Sequence, residues 1–114
     1  MPGRGLGNGY QGSKWIRRER RLAIYLRDGL ACAYCGATVE GGVTLSLDHL
    51  TPHSQGGGNE SGNLITACRR CNSARNDRSM AEFAASIAGY LNHGIQAVDI
   101  EANITRLTTC PVNI

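Results

Sequence analysis

The chain has 114 residues, enough for one domain and too few for two of ordinary size. Hydrophobic residues make up 41%, but aromatics only 5% and glycines number 15, so a thick aromatic core is excluded and a metal or disulfide staple is expected. The formal net charge is +3, and every Lys and Arg except Arg106 lies at or before Arg78; this fits either a polyanion-binding surface or a solvated face.

In chain order, residues 1–12 are Gly-rich and read as a flexible N-terminal arm. The arm lacks the apolar core of a secretory signal, and no apolar run reaches the length of a membrane span. An intracellular, cytoplasmic setting follows, where thiols stay reduced and paired cysteines favour metal over disulfides. Ser13 is placed to cap a helix from Lys14 to Leu26, ended by Asp28-Gly29. Its apolar side is Ile16, Ala23, Ile24 and Leu26. Cys32 to Gly36 reads as a tight turn that presents two thiolates, and Gly41-Gly42 as a second turn. Val43 to Leu47 alternates apolar and polar residues, the pattern of a half-buried strand. A polar loop from Thr51 to Ser61 leads to a short strand at 63–66, then to a helix from Cys71 to Arg78. Ser79 with Glu82 has capping-box spacing for a helix over 81–91. Residues 95–107 are ambiguous, with helix favoured.

The two pairs Cys32-Ala-Tyr-Cys35 and Cys68-Arg-Arg-Cys71 carry the strongest signal. Two intervening residues let one knuckle offer two sulfurs to one side of an ion, and two facing knuckles complete the tetrahedron that zinc prefers. This is favoured over free thiols or disulfides. Four thiolates leave no open position, so such a zinc is structural. Cys110 is unpaired in this scheme.

Between and beside the pairs lie Asp48, His49 and Asn72. An Asp is a hard oxygen ligand for Mg²⁺ or Mn²⁺, an Asn can add a second oxygen, and a neutral His is a general base. Asp48 and His49 are adjacent and would point to opposite sides of a strand, but at a strand end both can approach one site. Singly, each has a plain alternative: a turn cap, a loop histidine, a helix N-terminal residue. Together, inside one thiolate-closed loop, they favour function.

The stretches Arg27-Asp-Gly29, Cys32-Ala-Tyr-Cys-Gly36, Leu47-Asp-His-Leu-Thr-Pro52, Gly56-Gly57, Asn59, Asn63-Leu64 and Cys68-Arg-Arg-Cys-Asn72 resemble the HNH endonuclease family over about residues 20 to 85. The name letters map onto His49, Asn63 and Asn72, with Asn at the last place where the simple pattern has His. The resemblance implies an α+β fold: a ββα-metal (His-Me finger) core at about 28–80, a structural zinc site, flanking helices and a C-terminal helical extension at 80–107, in one domain over 13–114. It implies a divalent-metal-dependent DNA endonuclease that hydrolyses phosphodiesters and nicks one strand per active site. His49 is then the base, Asn63 hydrogen-bonds across the loop and fixes its angle, Asp48 and Asn72 hold one Mg²⁺ or Mn²⁺, and Cys32, Cys35, Cys68 and Cys71 hold one Zn²⁺. The competing readings are a non-catalytic zinc-knuckle nucleic-acid-binding module and a zinc-stapled protein-interaction domain.

Arg17, Arg18, Arg20 and Arg21 are candidates for the phosphate backbone, as are Arg69, Arg70, Arg75 and Arg78 beside the expected site. His53 reads as a solvated loop residue and His93 as a helix-end residue. The Gly56–Gly58 run, with no Walker pattern after it, reads as a turn. The expected partner is DNA, with no membrane, and the expected state a monomer or weak dimer.

Overall fold

The structure, a computed structural model, describes residues 16–91 and 94–112. The expected glycine-rich arm, the Ser13 cap, Lys14-Trp15 and His93 lie outside the described residues. These hold a two-stranded antiparallel sheet and four α-helices in an α+β arrangement.

Helix α1 spans Arg18–Arg27, with Arg17 extended before it (φ −64, ψ 155), so it starts later than the expected Lys14. It stops where expected: the Asp28 N–H bonds Ile24 O, and Gly29 takes φ 80, a left-handed turn that glycine adopts without strain. Ile24 is fully buried, whereas Leu26 is 57% exposed. Two residues along a helix is about 200° of rotation, so the two cannot share a face.

Strand β1 is Leu45–His49 and strand β2 is Leu64–Cys68, paired Leu45↔Cys68 through His49↔Leu64. Both lie slightly C-terminal to the stretches read from alternation, because the pairing carries β1 through Asp48 and His49. Every residue of β2 is buried, which requires cover on both faces. On one face Leu47 and Leu64 meet Ile16 and Ile24. On the other, Ile65 and Ala67 meet Phe83, Ala84, Ile100 and Ile104.

Helix α2, Arg69–Arg75, begins directly at the end of β2 and lies along the edge of β1 away from its partner. Three bonds tie it there: the Arg69 N–H to Thr44 O (2.9 Å), Asn72 Nδ2 to Leu47 O (3.2 Å) and Arg75 Nη1 to His49 O (3.0 Å). An edge strand needs such partners for its outward carbonyls. Helix α3, Met80–Leu91, opens with the expected capping box: the Ser79 N–H bonds Glu82 Oε1 and the Glu82 N–H bonds Ser79 Oγ, both 3.1 Å. The ambiguous C-terminal stretch is helix α4, Ala97–Thr108, whose Ile100, Ile104 and Leu107 are buried. That i, i+4, i+7 spacing is one helical face. No helix among the described residues is long and apolar enough to cross a membrane.

Candidate functional site

Four cysteines converge. The sulfurs of Cys32, Cys35, Cys68 and Cys71 all lie within 4.8 Å of one another, and Cys35 Sγ is 3.9 Å from Cys68 Sγ. A Zn–S bond of about 2.3 Å puts tetrahedral sulfurs roughly 3.8 Å apart, so the cluster fits zinc. Each knuckle adds a backbone N–H aimed at sulfur: Cys35 N to Cys32 Sγ (3.5 Å) and Cys71 N to Cys68 Sγ (3.4 Å). Cys68 therefore serves as a candidate ligand and as the N-cap of α2. A hydrogen bond from Cys71 holds the Cys32 thiol down to about 5, and the same bond pushes Cys71 up. Thiolate character at Cys32 suits a cation, whereas burial pushes the Cys35 thiol up.

At the other end of β1, His49 is half-buried, and its Nε2 lies 2.8 Å from Asn59 Oδ1. An amide oxygen only accepts, so Nε2 carries the proton and Nδ1 keeps the free lone pair. Asn63 does not touch the ring. It bonds across the loop, as expected: Oδ1 accepts from the Thr51 N–H (2.8 Å), and Nδ2 donates to Thr51 O (3.1 Å) and Gly58 O (2.9 Å). Gly57 is part of this closure, since a Cβ there would overlap Thr51 O and meet Asn63 Nδ2 at 2.9 Å. The loop that carries Asn59 is thereby tied to the chain just after His49.

Asp48 is 6% exposed, and its Oδ2 accepts from Tyr34 Oη (2.8 Å) and Arg75 Nη1 (2.6 Å). Burial pushes its carboxyl up, and the Arg75 guanidinium opposes that. Burial pushes the Tyr34 hydroxyl up as well, which keeps it a donor. Asp48 and His49 are the last two paired residues of β1, opposite Ile65 and Leu64, at the strand end where both are expected to approach one site. Asn72 donates Nδ2 to Ser46 Oγ (2.9 Å) and Leu47 O, which presents Oδ1 on the other side of its amide.

Four residues around the site were not read from the sequence as site residues. Tyr34 sits inside a cysteine knuckle and looks like a spacer there. Asn59 occurs in the family-like pattern but carries no separate signal. Arg27 and Asp28, read as a helix end, form a buried pair (2.6 Å) that also bonds Ser61 O, Leu64 O and the Thr66 N–H. Among the arginines, Arg17, Arg18, Arg69 and Arg70 are exposed, and Arg20 and Arg21 are half-buried. Arg78 is exposed over the Phe83 ring, 5.2 Å from its centroid. Arg75, expected beside them as a phosphate contact, is 2% exposed and turned inward.

Residues 32–78 match the model of the HNH endonuclease family, a stretch with both cysteine pairs, Asp48-His49, Asn63 and Asn72. Over 65 residues, 56% of this chain, the sequence is 42% identical to the CRISPR-associated endonuclease Cas9 of Actinomyces naeslundii, of which it spans 6%. The crystal structure of the Type II-C Cas9 enzyme from Actinomyces naeslundii is similar at a TM-score of 0.49 and 28% identity, over 77% of this chain and 10% of that one.

Proposed function

We propose that this chain is a divalent-metal-dependent DNA endonuclease that nicks one strand per active site. The observation that supports it best is the polarised His49: an imidazole whose Nε2–H is held by Asn59, with Nδ1 left to take a proton from water. The match to the HNH endonuclease family supports the same reading. Asp48, through Oδ1, and Asn72, through Oδ1, would hold one Mg²⁺ or Mn²⁺. Such an ion supplies charge neutralisation at a phosphate oxygen and the leaving oxygen. Arg75 and Tyr34 fix the other Asp48 oxygen, and Asn63 fixes the loop behind the base. The four cysteines hold zinc as a frame. Arg17, Arg18, Arg20, Arg21, Arg69, Arg70 and Arg78 are proposed to meet the phosphate backbone, in a single domain over residues 13–114.

Supercoiled plasmid tests the reading directly. The zinc-loaded protein should convert it to open circle with Mg²⁺ or Mn²⁺, and His49→Ala with unchanged zinc content should leave it intact. Nicking that survives both EDTA and His49→Ala would sink the mechanism. Tight DNA binding without any cleavage would instead favour a zinc-knuckle binding module.

A further inference from the structure

We infer that Arg75 is a positioning residue for His49 and makes no contact with nucleic acid. The inference rests on the nuclease reading above and extends it to a residue that bulk charge would assign to the substrate surface.

The Arg75 guanidinium makes four hydrogen bonds, all internal. Nε donates to Arg78 O (2.9 Å), Nη1 to Asp48 Oδ2 (2.6 Å) and His49 O (3.0 Å), and Nη2 to Leu50 O (2.7 Å). Its side chain is 2% exposed, so a phosphate has no access to it. Three of the four acceptors belong to the consecutive residues 48, 49 and 50, where β1 ends and the backbone loses its ladder partners. His49 projects from the middle of that clamp. Its backbone is held by Arg75 on one side and paired with Leu64 on the other, while Asn59 holds the ring.

Arg75 also links this clamp to the sulfur cluster. Cys71 and Arg75 are the buried residues of α2, four apart and therefore on one face. A metal-pinned Cys71 fixes one end of that face, and Arg75 carries the constraint to His49. Only a planar fork with donors in fixed directions can serve Asp48, His49 and Leu50 together; a lysine ammonium at the same place reaches fewer of them. This separates the inference from phosphate binding, where lysine is an adequate substitute for arginine.

Arg75→Lys, made in the full chain, is the decisive variant, taken forward once its zinc content and circular dichroism match the wild type. The single-turnover cleavage rate should fall about 100-fold, the scale of loss from displacing a reacting group by ~1 Å. DNA affinity and its salt dependence should stay as in the wild type. Cleavage at the wild-type rate would overturn the inference and leave Arg75 a fold-stabilising residue. Weaker binding with a salt slope lower by about one would overturn it in favour of a phosphate contact. A wild-type chain that cuts no DNA defeats the nuclease reading itself, an outcome distinct from either. Should Arg75→Lys not fold, the wild type decides by nuclear magnetic resonance. The Arg75 Nε–H signal should exchange slowly and stay in place when duplex DNA is added without divalent metal. A fast-exchanging signal, or one that moves with DNA, would overturn the assignment.

Discussion

Asn59 and Asn63 divide a task that one asparagine was expected to perform. Asn63 ties the loop through three backbone groups, and Asn59, on the same loop, reaches His49. Asn63 is the last residue before β2, and its amide is committed to Thr51 and Gly58. Asn59→Ala should therefore slow cleavage about 10-fold, a part of the ~10²–10⁴ that a positioned base contributes, while DNA affinity is unchanged. Single-turnover nicking beside a binding titration measures both. A wild-type rate would mean that the ring is oriented by something other than Asn59.

The helices follow local chemistry closely where caps are present. Helix α3 starts at its Ser79–Glu82 box because both orphan N–H groups find a side-chain oxygen within four residues. Ser79→Ala should cost about 1 kcal/mol of stability, read as a lower urea midpoint at constant slope. An unchanged midpoint would show that packing of Phe83 and Ala84 alone fixes the start of α3. The strands follow local chemistry less closely. Alternation at 43–47 gave the right element and missed its end, because Asp48 and His49 are strand residues only through their pairing with Ile65 and Leu64. Helix α4 was ambiguous for a related reason: its Ile100, Ile104 and Leu107 become one face only against β2 and α3.

Across the whole molecule, a two-stranded sheet is too small to be stable alone, and two devices compensate. Helices cover both faces, with Tyr34 and Phe83 edge to face in the larger core (centroids 5.0 Å apart, 79° between rings). The four sulfurs join the knuckle at 32–35 to the junction of β2 and α2. Metal removal should accordingly unfold more than a loop. Cys68→Ser, or chelation of the wild type, should lose both the bound zinc and most of the helical circular dichroism. A metal-free chain with a full native spectrum would show that the cysteines play no part in holding the fold.

The sequence by itself determined the two cysteine knuckles, the Ser79–Glu82 cap of α3 and the Asp28-Gly29 stop of α1. Each depends on spacing within a few residues, where covalent geometry leaves little choice. Tertiary structure decided which polar groups serve as framework. Arg75 looks like Arg69 or Arg70 in the chain, yet it is buried because Asp48, 27 positions away, lies against α2. Likewise, Tyr34 reaches Asp48 across 14 positions, a contact that no local pattern encodes. A buried charge is stable only with its partner in place, and that partner is fixed by the fold.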